Sequence, residues 1–419
     1  MSTPAAPSPP PAAPSPGAAS AQVPERSLAP DLARGLMLAL IALANVSWHL
    51  WGRPTQMTGA HPLEGSTLDR ILQAIMMIAV DGRSYPLFAF LFGYGMVQFT
   101  RSRIERGLPE ADVRRMLRRR HAAMILFGLV HASLLFMGDV LGAYGLAGLL
   151  LVWLFFRRRD RTLIIWSSVL AGLLALYALI SVAGGALLIA FAPEGAAGEF
   201  VMADPQDVTA GSPSYLASIL PRTSIWAGLT IAQVVSLTIP LSILLGWLAA
   251  RHRLLEDPAA HLPLLRRLAL IGIPIGWLGA LPGALTSLDV LPVREDASWM
   301  FMGLSSVTGV CTGVGYAAAF ALLAARLGSS RPPIVRAIAA VGKRSLSFYL
   351  LQSLVFAIVL SAWGLGVGGW AGTSLALLIG LLTWALGVPL AMLLEQRGAR
   401  GPAEVLLRRL TYGRRTPNR

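Results

Sequence analysis

The chain has 419 residues, 55% of them hydrophobic and 13% charged, with a mean hydropathy of +0.63; soluble domains carry roughly 25% charged residues, so a soluble globular fold is excluded. A net charge of +14 would direct a soluble protein toward nucleic acid. Here the arginines stand between long apolar runs, so the expected partner is a lipid bilayer with anionic headgroups, and nucleic acid is not expected.

Residues 1–24 are mostly Ala, Pro and Ser, with no basic start followed by an apolar run, and read as a disordered tail rather than a cleavable signal. A membrane span needs about 20 apolar residues to cross about 30 Å of hydrocarbon. Candidate spans run over 32–51, 72–99, 121–137, 140–156, 162–191, 224–250, 268–291, 300–325, 345–364 and 371–394. The expected fold class is all-α: a polytopic integral membrane protein of about ten transmembrane helices, with a transmembrane domain over residues 25–397. The second candidate is interrupted by Asp81, Gly82, Arg83 and Pro86, so residues 70–82 read as a half-buried outer segment leading into a span that begins near Ser84.

Every second connection is rich in arginine, around residues 101–120, 157–161, 251–267 and 331–344, whereas the intervening loops carry Glu194, Glu199, Asp204, Asp207, Asp289, Glu295 and Asp296. Basic residues in short loops stay in the cytoplasm, so an even number of spans with both termini cytoplasmic is expected. The segment 398–419 places Pro402 at a helix start with Leu406, Leu407 and Leu410 beside Arg408 and Arg409, which suits a helix lying on the cytoplasmic interface, followed by a basic tail.

Ionisable groups within spans cost a few kcal/mol each, so each one needs a reason. In the first span Asp31 and Arg34 share a helical face, and Asn45 follows about three turns later. The pair reads either as an interfacial brace or as a site for anionic groups. Asp81 and Arg83 read as the edge of a re-entrant cavity or as an ordinary loop. The stretch "HASLLFMGDVLGAYGLAG" holds His131 about two turns before a tight Gly138–Asp139 turn, with Tyr144 about a turn after it. A histidine beside a carboxylate can serve as a general base or a proton relay, or can simply tie two helices together. Gly142, Gly145 and Gly148 suit close helix contact. Ser347, Tyr349, Gln352 and Ser353 enter the bilayer after Lys343 and Arg344.

His49 and His61 read as exposed just beyond the first helix, and His121 and His252 as solvated among arginines. The single cysteine, Cys311, excludes an intrachain disulfide and a thiolate cluster. No histidine pair has metal-ligand spacing and no serine occupies a nucleophile elbow, so no metal site is expected.

Taken together, "DLARG" with Asn45, "LFAFLFGYG", "GLVHASLLFMGDVLGAYGLAG", "VGKRSLSFYLLQSL" and "GPAEVLLRRLTYG" resemble the YeiB-like family of bacterial membrane proteins, known as domain of unknown function 418. The resemblance implies a multi-pass protein of the bacterial inner membrane and brings no established activity. A more distant likeness joins "DLARG…N" to the first helix of transmembrane acyltransferases. In the bacterial acyltransferase-three proteins a catalytic His stands eleven positions after the Arg, where this chain has Asn45; in the heparan glucosaminide acetyltransferase branch that residue is Asn and the His comes later.

The likeness implies an acyltransferase-like fold. It also implies acetyl-CoA or another acyl-CoA as donor, and an envelope glycan or lipid as acceptor on the far side. His131 oriented by Asp139, or else His49, would be the base, with Asn45 at the oxyanion. Asp31, Arg34, Asp81, Arg83, Tyr144 and Gln352 would contact substrate. A transporter using His131 and Asp139 as a proton relay, and a noncatalytic envelope-assembly scaffold, are the alternatives. The sequence carries no signature of an oligomeric state.

Overall fold

A computed structural model describes residues 28–56, 59–193, 204–328 and 332–412. The expected tail over 1–24 and residues 413–419 lie outside the described residues. The described elements are helices joined by turns and short 3-10 segments, with one isolated bridge between Thr55 and Pro62.

The chain opens with α1 (Leu28–Val46), at the centre of the bundle against five other long elements. A loop leads to α2 (Thr67–Ala79), whose start is set by a capping box in which Ser66 and Asp69 satisfy each other's backbone N–H groups. A four-residue turn separates α2 from α3 (Ser84–Ile104), so the break at Asp81–Arg83 falls where the sequence suggests. Next come α4 (Glu110–Leu134) and α5 (Leu141–Phe155), a hairpin around Gly138–Asp139. The longest helix, α6 (Asp160–Phe191), precedes the one-turn α7 (Pro205–Thr209). Then α8 (Ile219–Val235) meets α9 (Thr238–Arg251) at a 56° bend. After α10 (Leu262–Ser287) and α11 (Met302–Leu327), α12 (Pro333–Lys343) turns by 85° into α13 (Ser345–Leu360). The described chain ends with α14 (Thr373–Gln396) and α15 (Pro402–Tyr412).

Rows of large apolar side chains on α6, α10 and α14, such as Ile180, Leu270, Leu278 and Leu382, face outward with more than half of their area exposed. In water such a surface would drive aggregation; on a bundle of this kind it is the lipid-facing ring. The packing of α3 on α9 shows how the interior closes. Gly93 lies against the Ile243 carbonyl and Gly246 against the Phe90 carbonyl, so a side chain at either position would separate the helices.

All ten sequence-derived segments coincide with a helix or a bent pair, but they are not equivalent. Six described helical segments are long and apolar enough to cross a membrane, and eight if each bent pair is one span. The difference from ten lies in the α4–α5 hairpin. Arg114, Arg115, Arg118, Arg119 and Arg120 occupy the start of α4. The apolar remainder of α4 and the 15 residues of α5 each rise only about 22 Å at 1.5 Å per residue, short of about 30 Å of hydrocarbon. The hairpin tip itself is buried, with Phe136, Met137 and Asp139 at 3%, 2% and 0% exposed. Residues 204–218 cover it: Tyr215 donates to the Leu134 carbonyl at 3.0 Å and Thr209 reaches the Met137 sulfur at 3.5 Å. That cover is tied to the loop after α1 through Gly52 to Asp207 and Thr55 to Asp204, at 2.7 and 2.9 Å.

Candidate functional site

At the hairpin tip His131, near the end of α4, turns inward and its Nδ1–H donates to Asp139 Oδ1 at 2.8 Å. The two side chains are 1% and 0% exposed. Asp139 is held from several directions: Trp226 Nε1 of α8 donates to Oδ2 at 3.2 Å, the Gly142 amide donates to Oδ2 at 3.0 Å, and the Tyr349 hydroxyl of α13 donates to Oδ1 at 3.4 Å. A carboxylate fixed by this many donors holds the imidazole in one tautomer and orientation. With Nδ1 committed, the basic nitrogen is Nε2, which is buried with no hydrogen-bond partner among the described residues.

His49 contacts the same Phe136 ring as His131. It stacks on that ring at 4.8 Å between centroids, while His131 meets the same ring edge-on at 6.4 Å. Its Nδ1–H donates to the Asn45 carbonyl at 3.1 Å, which again leaves Nε2 buried and without a partner among the described residues. Two buried imidazoles thus flank one aromatic ring, each with its Nε2 lone pair uncommitted. The close approach around Asp139 depends on glycine: a Cβ on Gly128 would come within 2.5 Å of Asp139 Oδ2 and 2.6 Å of the Gly142 amide.

The other site residues expected from the sequence fall elsewhere. Tyr144 is fully buried, but its hydroxyl donates to the Tyr85 carbonyl at 2.9 Å and its ring packs on Phe88 and Phe92, so it supports α3 rather than the hairpin tip. Gln352 donates to the Leu38 carbonyl at 3.2 Å and keeps a buried, unpartnered Oε1. Asp31 and Arg34 pair at 3.3 Å in the first turns of α1, fifteen residues and about 22 Å of helix away from His49. Asn45 is half-buried and reaches His49 through its main chain.

Arg83 is 1% exposed and is spent on structure, donating to the Asp81 carbonyl, to Ser305 Oγ at 3.0 Å and to the Gly276 carbonyl at 3.0 Å. It joins the α2–α3 turn to α10 and α11. Asp81 binds His61 Nε2 at 2.8 Å. His61 and His49 are 0% and 2% exposed, correcting the expectation that both lie open beyond α1, because His61 is drawn onto Asp81 and His49 packs against Phe136 and Phe356. His121 is likewise buried, its ring against the Gly148 position, while His252 stays exposed beside Asp160. Gly142, Gly145 and Gly148 provide close contact with Trp226, Ile125 and His121, as their spacing suggests.

Trp226 and Arg222 are missing from the sequence reading. They stand four apart, on one face of α8. Arg222 is 2% exposed and its guanidinium donates twice to the Ser133 carbonyl, at 3.2 and 3.0 Å. An arginine inside a candidate span is a usable signal in itself; the link from Trp226 to Asp139 is visible only in three dimensions.

The helical bundle with its lipid-facing ring defines an all-α, multi-pass membrane protein with a buried histidine–carboxylate site. Residues 249–414 match the family described as "Protein of unknown function (DUF418)", so the resemblance read from the sequence to domain of unknown function 418 holds. The chain is also similar to the "Uncharacterized protein YxaH" of Bacillus subtilis (strain 168), with 25% identity over 409 residues that cover 91% of this chain and 93% of the relative.

Proposed function

We propose that the protein transfers an acyl group from a cytoplasmic thioester to a hydroxyl-bearing acceptor on the far side of the inner membrane. The observation that carries the reading is His131, with Nδ1 held by Asp139 and Nε2 buried and unpartnered. This is the arrangement a general base requires. His131 Nε2 takes the proton of the acceptor hydroxyl as its oxygen attacks the thioester carbonyl carbon. The C–S bond of the tetrahedral intermediate then breaks and the departing thiolate takes the proton back from the imidazolium.

An N–H donor near the developing oxyanion stabilises the intermediate, and Asn45 is the side chain proposed for that role. His49, across Phe136, is the second candidate base. Arg34 stands toward the arginine-rich face, where the donor's phosphates are expected. The experiment is replacement of His131 by Ala, with incorporation of labelled acyl groups into envelope material as the readout. We expect a loss of about 10² to 10⁴-fold, and full incorporation would remove His131 from the mechanism.

A proton-coupled transporter is the second reading, supported by interrupted helices in both halves of the chain, at α2–α3 and at α12–α13. It predicts that purified protein in vesicles moves protons with a solute and leaves thioesters intact.

A further inference from the structure

On the arginine-rich face, between the end of α3, the start of α4, the α12–α13 junction, the end of α14 and α15, lies a cavity of about 590 Å³. Arg103, Arg120, Lys343, Arg344, Arg400 and Arg408 contribute six cations to its wall, against the two carboxylates Glu395 and Glu404. Both carboxylates are engaged. Glu395 binds Lys343 at 2.6 Å and Arg344 at 2.8 Å. Glu404 caps the start of α13, accepting from the Leu346 and Ser347 amides and from the Ser347 hydroxyl.

The arginines are arranged on a stacked pair of aromatic rings, Phe99 and Tyr412, whose centroids are 6.4 Å apart. Arg103 lies over both, at 5.3 and 5.0 Å; Arg120 lies over Phe99 at 5.7 Å and Arg408 over Tyr412 at 5.3 Å. Arg103 also donates to the Tyr412 hydroxyl at 2.6 Å, and the Nε atoms of Arg103 and Arg120 are buried without hydrogen-bond partners among the described residues. Three guanidinium groups gathered on one pair of rings concentrate positive charge there, and like charges repel. An occupant with several anionic oxygens would relieve the repulsion and match the fork geometry of the guanidinium group. The volume falls within the usual range for a small-molecule site.

The geometry points to this cavity as a binding site for a phosphate-bearing ligand with more than one anionic group, the chemistry shared by a soluble diphosphate ester and an anionic phospholipid headgroup. As the donor site of the acyl-transfer reading, on which this assignment of substrate class rests, it has a consistent depth. Arg120 lines the cavity and His131 stands eleven residues further along α4, about 16 Å of helix rise. A donor anchored by its phosphates would need a flexible arm of that order to present its thioester.

The test is saturable binding to the purified full chain in zwitterionic nanodiscs, read by calorimetry and by thermal unfolding, with inorganic pyrophosphate, ADP and a short-chain phosphatidylglycerol as separate probes. Arg120→Gln is expected to weaken binding about tenfold through loss of a charge-assisted bond. The exposed Arg400→Gln variant, which leaves the packed interior untouched, should also weaken it. Saturation by pyrophosphate or ADP identifies a soluble diphosphate; saturation by the lipid alone identifies a headgroup; both support the site. No saturable binding of any probe, or binding indifferent to both substitutions, overturns it. His131→Asn protein should bind all probes like the unmodified protein, so failure of the cavity and failure of the proposed base are told apart.

Discussion

Two buried histidine–aspartate pairs, His131–Asp139 and His61–Asp81, have the same length of 2.8 Å and opposite ring orientations. His131 offers Nδ1 to its partner and keeps Nε2, the nitrogen at the outer tip of the ring. His61 offers Nε2 and keeps Nδ1, the nitrogen beside its own main chain. The tip of an imidazole can meet a ligand, whereas the nitrogen next to the backbone is shielded by the residue that carries it. The surroundings follow the same division. Asp139 receives donors from α5, α8 and α13 at a helix-hairpin tip. Asp81 sits in a turn whose neighbour Arg83 is bonded to α10 and α11. In the proposed function the first pair acts, while the second joins the loop after α1 to the α2–α3 turn.

The contrast breaks most directly at Asp139. Asp139→Asn leaves the shape of the side chain and removes the carboxylate that selects the tautomer, so acyl incorporation should fall by about 10²-fold or more, within the range for a disabled general base. Incorporation equal to that of the unmodified protein would reduce the hairpin pair to the same bracing role as His61–Asp81. Next in size is Gly128→Ala. The added methyl meets Asp139 Oδ2 and the Gly142 amide, an overpacking of about 1–3 kcal/mol that should lower the thermal midpoint in detergent and the transfer rate together.

For the bracing pair the two readouts should separate. Asp81→Asn weakens the hold on buried His61 and should cost about 1–3 kcal/mol of stability, while transfer per folded molecule stays within about twofold, the scatter of a change remote from the reacting atoms. A collapse of transfer with an unchanged midpoint would instead make Asp81 part of the chemistry. The smallest effect belongs to Arg70→Ala. It removes an ion pair with Asp289 whose side chains are 35% and 84% exposed, and such pairs contribute about 0–1 kcal/mol. A larger shift would show that α2 depends on its outer face more than its capping box suggests.

Much of the architecture is legible in the chain alone. Apolar runs long enough for a bilayer specify helices wherever they occur, because a backbone without water must satisfy its own polar groups. The break before Ser84 follows from Gly82 and Pro86. His131 and Asp139 also declare themselves, since they are eight residues apart, with Asp139 in the turn that follows the helix carrying His131, and polar residues are costly there. Burial was harder to read. His49, His61 and His121 look like residues at the ends of spans, and their enclosure depends on groups remote in the chain: Phe136 and Phe356 around His49, Asp81 on His61, and Phe92 and Gly148 against His121. The partners of Arg83 and Tyr144 are hidden for a related reason: Ser305, Gly276 and the Tyr85 carbonyl lie far away in the chain.

The sequence by itself determined the membrane class, the helix order and the identity of the histidine–carboxylate pair, because each rests on local composition and short spacing. Only the tertiary structure decided that the tip of the α4–α5 hairpin is buried. It also decided that Trp226 and Tyr349 converge on Asp139, which ring nitrogen each histidine keeps, and that Arg103, Arg120 and Arg408 gather on two aromatic rings. Those features depend on helices remote in sequence meeting at side-chain distance. Helix periodicity states which face is apolar and says nothing of which neighbour that face will meet.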